Sequence, residues 1–349
     1  MPREIVIRFD AKDAGAAHAV GRDAAGAAAS PARLDRFLAA RFPSHSRAEI
    51  ARLIAEGGVL VDGRPAPKGL LLRDGQEVRL ALPVPRARWA IVPEPERRLT
   101  VHYEDPHVLC VEKPPGVPCL PIRPDERGTV ANALVARYPE LNEIGGPLEA
   151  GLLHRLDTGT SGLLVAARTA AAYETLRAAW RAGDVTKIYL AVVRGAVRVA
   201  GRIDVPLAAH PKSERRMIVA RDPTAPGALA ARTEYEPIRV VETREAREAR
   251  TLLRIRLHEG RRHQIRVHLA SIGHPVVGDA LYGGASEEQW ARPGEGEAGR
   301  EEAGTRREEE LVRRLALHAH RITLPHPETG RPLSLESPIP PEIAALIDG

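Results

Sequence analysis

The sequence predicts an α+β protein: a small α/β domain followed by a larger domain with a mixed, mainly antiparallel sheet and flanking helices. Three observations support this. The chain has 349 residues, which is long for one small core. A short unit of two amphipathic helices and two strands precedes a Pro-rich stretch. Beyond that stretch, strands and helices mix without the repeating βαβ rhythm of a parallel sheet.

Charge and composition favour a soluble protein with an anionic partner. The formal net charge is +5, but residues 287–310 hold nine Glu and four Arg, which leaves +10 on the remainder. A basic body favours nucleic acid as the partner, although a merely soluble basic protein has the same balance. Two cysteines, no apolar run of about 18 residues and a start without a signal-peptide core predict a cytoplasmic protein with no membrane segment. We also expect a monomer.

The first hundred residues divide into a leader, a small domain and a linker. We expect residues 1–29 to form a flexible leader, because the chain is rich in Ala and Gly there. Residues 30–83 predict two helices, then a strand entering the turn Asp62-Gly63, then a second strand. A Pro-rich stretch makes residues 84–98 a linker.

Residues 99–349 predict the larger domain. A turn at Asp105-Pro106 joins two strands, and Thr129 caps a helix. A helix from Arg262 to Ile272 would bury Ile265, Leu269 and Ile272. The other expected elements are a helix from Ala170 to Arg181 and strands at Gly162–Ala167, Val185–Val193, Thr251–Leu257 and Leu317–Leu324. Residues 285–310 predict a disordered, charged insertion.

One carboxylate, Asp157, lies in the most informative segment of the chain. The acid follows His154 and Arg155, and a Thr/Gly/Ser turn separates it from an apolar strand. Such a turn offers backbone N–H groups and hydroxyls that stabilise an ionised carboxylate. An ionised, oriented Asp serves as an ion-pair partner, a metal ligand, a general base or a nucleophile. The residues alone leave these four roles open.

Two further segments contribute candidate site residues. Alternation along the strand from Val185 puts Lys187 and Tyr189 on one face, where Tyr189 either binds a ligand or completes the core with its hydroxyl at water. In the predicted helix, Arg262 and Arg266 lie one turn apart and can hold a phosphate or the Asp157 carboxylate. The spacing of the neighbouring histidines disfavours a metal site. These histidines are His258, His263, His268 and His274.

These segments resemble, in order, the motifs of the RluA family of pseudouridine synthases. The matching strings are HRLDTGTSG at 154–162, KIY at 187–189, GRRHQIRVHL at 260–269, GHP at 273–275, GD at 278–279 and YG at 282–283. The sequence departs from the pattern at Glu259, where many members carry Thr, and in the insertion after Gly284. The strings RLD at 33–35 and IAEGGVLVDG at 54–63 resemble the small RNA-binding domain named after ribosomal protein S-four.

The resemblance implies the pseudouridine synthase fold and an isomerase that modifies uridines in RNA without a metal or other cofactor. It makes Asp157 the nucleophile, which attacks either the anomeric carbon of the ribose or carbon 6 of the base. Arg266 would be its basic partner, and Tyr189 would stack on the uracil. Arg155 would fill the space left by a flipped-out nucleotide.

Further basic side chains are expected to contact RNA. They are Lys187, Arg262 and His263 in the larger domain and Arg47 and Arg52 on the second helix of the small domain. For the last two, a solvated basic face is the alternative. Family members with this N-terminal domain mostly resemble enzymes that act on large-subunit ribosomal RNA. We therefore expect a 23S-type ribosomal RNA as the partner in preference to tRNA.

Two other functions fit parts of the sequence. The string from Asp157 to Ser161 looks like an aspartic protease loop, but that chemistry needs two carboxylates that share a proton, and the sequence holds no second Asp-Thr/Ser-Gly. A non-catalytic RNA-binding or ribosome assembly protein would use both domains as clamps. The combination of Asp157, Tyr189 and Arg266 argues against a clamp, because a clamp gains nothing from an acid that faces phosphates.

Overall fold

A computed structural model describes residues 4–10, 32–43, 45, 47–67, 69–81, 89–242, 249–283 and 314–348. The chain divides into two units, Met1–Ala90 and Ile91–Gly349. The predicted insertion at 285–310 and most of the predicted leader lie outside the described residues. Within the described ranges, no helix is both long enough and apolar enough to cross a bilayer.

The first unit packs two helices against an antiparallel sheet. Leu34 and Ile50 from the helices and Val78 from the sheet share one buried core. Its described elements are β1 (Glu4–Arg8), α1 (Leu34–Arg41), α2 (Arg47–Ala55), β2 (Val59–Val61), β3 (Arg64–Pro65) and β4 (Glu77–Ala81). The strand order is β1-β4-β2-β3. This arrangement contains the predicted helix–helix–strand–turn–strand unit.

The strand β1 corrects the predicted leader. The sequence assigns residues 1–29 to a flexible leader, but residues 4–8 pair antiparallel with β4 along their whole length. Ile5 and Ile7 pack against the core of the first unit. The partner strand lies far along the chain, so no turn beside β1 marks the pairing in the sequence.

The second unit begins earlier than the sequence predicts. Residues 84–98 were expected to be a linker, yet Ile91 is buried and its N–H donates to the Asn142 side chain at 2.9 Å. The N–H of Glu94 donates to the Asn132 carbonyl at 3.0 Å. These bonds attach the chain from residue 91 onward to the second unit, so the predicted boundary at residue 99 is too late.

A mixed sheet of nine strands, counted over the described residues, forms the body of the second unit. The strands of the unit are β5 (Val101–Glu104), β6 (Val108–Lys113), β7 (Ser161–Ala167), β8 (Thr186–Arg194), β9 (Gly201–Asp204), β10 (Leu207–Ala209), β11 (Met217–Val219), β12 (Arg232–Glu242), β13 (Ala249–Leu257), β14 (Leu317–Pro325) and β15 (Pro332–Glu336). The order in the nine-stranded sheet is β5-β6-β7-β14-β8-β13-β12-β9, with β15 paired to β14. Of these described pairs only β7–β14 is parallel, so the predicted mainly antiparallel α+β fold is confirmed.

The described helices of this unit lie between its strands and at its end. They are α3 (Val130–Arg137), a 3-10 helix (Pro139–Glu143), α4 (Ala170–Ala182), α5 (Gln264–Ser271) and α6 (Pro341–Ala344). The predicted helix from Arg262 to Ile272 is therefore too long at both ends. His263 adopts a left-handed conformation with φ of 55° just before α5, and Ile272, expected to be buried, is 37% exposed.

Candidate active site

The turn that carries Asp157 is pinned to neighbouring backbone. The N–H of Thr160 donates to the Asp157 carbonyl at 3.0 Å, which closes the turn before β7. The carbonyl of Thr158 accepts from the Lys113 ammonium at 3.0 Å and from the N–H of Gly116 at 2.8 Å. Lys113 has no exposed surface, and its burial lowers the pKa of its ammonium to about 8. The end of β6 thus fixes the turn through the hydrogen bond from Lys113 to the Thr158 carbonyl.

The residues before Asp157 alternate between the interior and the surface. The His154 ring stacks on Trp180 with 5.1 Å between centroids, and its Nε2 accepts from the N–H of Val165 at 3.1 Å. Removal from solvent lowers the pKa of His154 to about 3, so the ring is neutral. Leu156 points inward, whereas Arg155 is exposed. The alternation leaves Arg155 and Asp157 at the surface of the same cleft.

Strand register explains how Tyr189 reaches this cleft. Gly162 of β7 pairs with Ala319 of β14, and Ala319 pairs with Tyr189 of β8. Gly162 has a φ of 115°, and a Cβ there would lie 2.3 Å from the Ala319 carbonyl oxygen. Only glycine permits this close approach of β7 and β14. The parallel pair therefore sets the lateral distance between the Asp157 turn and the tyrosine strand.

An ion-pair network in the cleft centres on Arg266 of α5. Its Nη1 donates to Oδ2 of Asp157 at 3.0 Å, while Nε and Nη2 donate to the two oxygens of Asp279 at 2.7 and 2.8 Å. The Asp279 side chain has no exposed surface. Burial alone would lower the pKa of Arg266, but the hydrogen bonds and charges of the two carboxylates outweigh it and raise the pKa. Arg266 therefore stays charged and orients one oxygen of Asp157.

His263 approaches the same oxygen from the start of α5. Its Nε2 lies 4.0 Å from Oδ2 of Asp157, and its Nδ1 lies 2.8 Å from the Tyr282 hydroxyl. Burial lowers the pKa of His263, which the charge of Asp157 only partly offsets. The imidazole is therefore neutral near pH 7.

Tyr189 lines the cleft with only 8% of its surface exposed. Burial and the charge of Asp157 both raise its pKa. The side chain is therefore a neutral phenol at physiological pH. It can act as a base only after it has lost its own proton.

The cleft brings together five of the residues singled out from the sequence, which are Arg155, Asp157, Tyr189, His263 and Arg266. A roomier groove in the second unit is lined by Arg98, Val101 and Tyr138 among others, and its lining among the described residues includes no carboxylate. The chemistry, not the volume, therefore locates the site.

Two other predicted RNA-binding residues of the second unit, Lys187 and Arg262, do not line this cleft as the described residues form it. Lys187 is 9% exposed and its ammonium donates to the His258 carbonyl at 3.4 Å, because the strand face it shares with Tyr189 is buried at that point. Arg262 lies before α5 and donates to the Arg215 carbonyl at 3.2 Å, so the expected one-turn pairing with Arg266 is wrong. Two further predicted RNA-binding residues, Arg47 and Arg52, lie on α2 of the first unit.

Sequence reasoning gave no role to three residues that shape the site, Lys113, Asp279 and Tyr282. Asp279 and Tyr282 stand in matched motifs, but their contacts with Arg266 and His263 depend on the fold. Lys113 did carry a signal. The protein has five lysines and uses arginine almost everywhere else, so a lysine that ends an apolar strand is unusual.

Both units match known protein families. The RNA pseudouridylate synthase family model matches residues 107–271, and the ribosomal-protein-S-four domain model matches residues 32–78. Human RNA pseudouridylate synthase domain containing 1 aligns with a TM-score of 0.52 at 24% identity, over 71% of this chain and 86% of its own. That likeness shows a shared fold.

Curated relatives cover most of the chain. The ribosomal large subunit pseudouridine synthase D of Xanthomonas campestris pv. campestris is 37% identical over 90% of this chain and 88% of its own length. The protein of the same name from Pseudomonas aeruginosa is 35% identical over 90% of this chain and 91% of its own. The chain therefore belongs to the RluA family of RNA pseudouridine synthases, isomerases that convert uridine to pseudouridine.

Proposed function

We propose that this enzyme modifies uridines in large-subunit ribosomal RNA and that Asp157 is its nucleophile, acting on a nucleotide flipped out of its stack. The ribosomal RNA substrate rests on the relatives, which are named as large-subunit pseudouridine synthases. The observation that carries the role of Asp157 is its ion pair with Arg266 inside a cleft that also contains Tyr189.

The reaction needs a group that detaches uracil from ribose and later leaves again. In one route, an Asp157 oxygen bonds to the anomeric carbon as the bond from that carbon to the base nitrogen breaks. The base turns, its carbon 5 displaces Asp157 from the sugar, carbon 5 loses its proton and the freed nitrogen gains one. In the other route, Asp157 adds to carbon 6 of the base and the carbon 5–carbon 6 double bond opens. The bond from the base nitrogen to the anomeric carbon breaks, the base turns and carbon 5 bonds to the anomeric carbon. Loss of the carbon 5 proton then expels Asp157 and restores the double bond, and the freed nitrogen gains a proton. Both routes require an ionised, fixed carboxylate.

Arg266 supplies the fixed position, through a hydrogen bond to Oδ2 of Asp157. Two unit charges about 4 Å apart at an effective dielectric constant of about 20 attract by about 4 kcal/mol before desolvation is counted. Because Arg266 is itself held by Asp279, the attraction also fixes the direction of the Asp157 oxygen. Orientation of this kind is a large part of what an active site contributes to rate.

Tyr189 and Arg155 take the two remaining roles. The Tyr189 ring offers a face on which the uracil stacks, and its phenol takes part in removing the carbon 5 proton only if it passes its own proton on. Arg155 is exposed beside Asp157, where it would occupy the space left by the target nucleotide.

The test of the nucleophile is tritium release from RNA labelled at carbon 5 of uridine. Wild type should release tritium, whereas Asp157→Asn should release essentially none while it binds the same RNA with unchanged affinity. Retained RNA binding would show that Asp157→Asn is folded and has lost only the chemical step. Tritium release by Asp157→Asn at the wild-type rate would remove Asp157 from the mechanism.

The substrate is tested by mapping pseudouridines in a strain that lacks the gene. Sites in large-subunit ribosomal RNA should disappear and return when the wild-type gene, but not Asp157→Asn, is supplied. Loss of sites only in tRNA would contradict the proposed substrate.

We further propose that α2 of the first unit contacts RNA phosphates through Arg47 and Arg52. Arg52 is exposed and has only a loose ion pair with Glu56 at 3.9 Å. Removing one ion pair with an RNA phosphate should reduce the dependence of log affinity on log salt concentration by about 1. Arg47→Ala should therefore bind RNA more weakly and with a shallower salt slope. Arg64→Ala, on the exposed strand β3, is the control and should leave the slope unchanged.

A further inference from the structure

The hydroxyl of Tyr282 joins three parts of the second unit. The backbone N–H of Met217, the first residue of β11, donates to this hydroxyl at 2.8 Å. The same oxygen lies 2.8 Å from Nδ1 of His263, and the rings of His263 and Tyr282 meet edge to face at 75°. The guanidinium of Arg266 lies over the Tyr282 ring at 5.1 Å. Tyr282 therefore touches the β10–β11 hairpin, the histidine and the arginine of the ion-pair network.

The hydrogen-bond partners of the Tyr282 hydroxyl indicate which nitrogen of His263 carries the proton. A backbone N–H only donates, so the Tyr282 oxygen accepts from Met217. The phenol proton also needs an acceptor, and among the described residues the partner within hydrogen-bond distance that can accept it is Nδ1 of His263, 2.8 Å away. With Nδ1 as the acceptor, the proton of the neutral ring is on Nε2. Nε2 lies 4.0 Å from Oδ2 of Asp157, which is longer than a hydrogen bond but close enough for the N–H dipole to act on the carboxylate.

The surroundings of His263 fit a neutral, firmly placed ring. Two carboxylates, Asp157 and Asp279, and two guanidinium groups, Arg262 and Arg266, act on it, so the nearby charges oppose one another. Its backbone has a φ of 55°, a left-handed conformation that is unfavourable for a residue with a Cβ. This backbone conformation places the imidazole in the lining of the cleft.

We propose that Tyr282 is a positioning residue that holds His263 as the Nε2–H tautomer, whose neutral N–H is a potential donor beside the Asp157 carboxylate and comes within hydrogen-bond distance when substrate binds. The assignment of the tautomer stands by itself; its value for the reaction rests on the proposed role of Asp157. Arg266 already supplies a positive charge. A second cation would bind the carboxylate more tightly before reaction and weaken it as a nucleophile, whereas a neutral donor orients it and supports it again when it leaves the sugar.

The direct test is nuclear magnetic resonance of the full-length protein with nitrogen-15-labelled histidine. The signal of His263 is identified by its absence in His263→Gln. In wild type near neutral pH it should show the Nε2–H pattern. In Tyr282→Phe the pattern should shift toward Nδ1–H or a mixture, because the proton donor to Nδ1 is lost. Tyr138→Phe, which removes a hydroxyl bonded to Glu104, is the matched control and should leave the signal unchanged.

Either of two spectra would overturn the proposal. One is an Nδ1–H tautomer or an imidazolium in the wild-type protein at neutral pH. The other is a Tyr282→Phe spectrum identical to wild type in a protein whose circular dichroism shows it to be folded. Neither outcome depends on whether Asp157 is the nucleophile, so failure here is distinct from failure of the proposed function.

A kinetic test uses single-turnover tritium release with large-subunit ribosomal RNA carrying label at carbon 5 of uridine. Tyr282→Phe should slow release by about 2- to 10-fold, the weight of one neutral hydrogen bond, with RNA affinity unchanged. His263→Gln places an amide N–H near the position of Nε2 and should retain more activity than His263→Leu. Equal activity of His263→Leu and wild type would exclude the donor role.

Discussion

Neutralising Asp279 tests whether the buried ion pair controls the geometry of Asp157. Its carboxylate accepts two hydrogen bonds from Arg266 and one each from the N–H groups of Leu281 and Tyr282. In Asp279→Asn one acceptor remains, but an NH₂ group turns toward a guanidinium that only donates. Removing one partner of a buried pair costs about 3–5 kcal/mol. Since Arg266 keeps its bond to Asp157, we expect the lower end, about 3 kcal/mol.

Urea unfolding followed by circular dichroism and tryptophan fluorescence measures this cost. Asp204→Asn is the control, since Asp204 accepts from Arg232 at 3.0 Å but is 46% exposed, and such surface pairs contribute less than about 1 kcal/mol. Turnover of Asp279→Asn should also fall by about 100-fold, because an Asp157 that is no longer oriented reacts poorly. Equal stability losses in the two variants, with wild-type turnover in Asp279→Asn, would refute the reasoning.

Three further predictions concern the residues around the Asp157 turn. Gly162→Ala should lower the free energy of unfolding by about 3 kcal/mol or more, because the backbone strain and the clash with β14 add. Gly183 also has a positive φ, of 85°, but a Cβ there would meet no atom within 4 Å. The control Gly183→Ala should therefore cost only about 1 kcal/mol in urea unfolding. Burial makes Lys113 easier to deprotonate in the folded state, so the stability of wild type relative to Lys113→Met should rise from pH 8 to pH 10.5; a flat difference in urea unfolding would contradict this. Tyr189→Phe should slow tritium release by about 100-fold if the hydroxyl moves a proton while RNA affinity stays constant, and an unchanged rate would restrict Tyr189 to stacking.

Elements with local signals at both ends were predictable from the sequence. Helix α4 has Thr169 as its N-cap, whose side chain accepts from the N–H of Ala172, and Gly183 in the left-handed conformation after its end. The strands β8 and β13 follow from their apolar runs and alternation. Helix α5 was predicted too long because periodicity carries no information on backbone handedness, and the left-handed His263 is what delays its start. The sequence does not predict strand β1 because β4, the strand it pairs with in the described part of the chain, is distant in sequence.

The site residues also fall into two groups, those with a local sequence signal and those whose role depends on tertiary contacts. Asp157 was predictable from the turn that contains it, and Tyr189 from its position in a predicted strand. The partner of Arg266 that fixes its orientation, Asp279, is recognisable only after the chain from α5 has folded back onto the cleft. Lys113 is unusual in the sequence, but its contact is also tertiary: its ammonium reaches the Thr158 carbonyl because β6 and the turn before β7 are neighbours. Local motifs thus predict the groups proposed to react, whereas the supports of these groups arise from tertiary contacts.

These supports act on opposite sides of one short turn. The Asp157 side chain is held by Arg266, and the next carbonyl along the chain is held by Lys113 and Gly116. In the proposed reaction the nucleophile must attack, wait while the detached base turns and then leave from the same position. A turn fixed at only one side would let the carboxylate swing with the sugar, and the base would lose its path back to the anomeric carbon. Weakening either support should therefore reduce the conversion of detached base to product more than it reduces RNA binding.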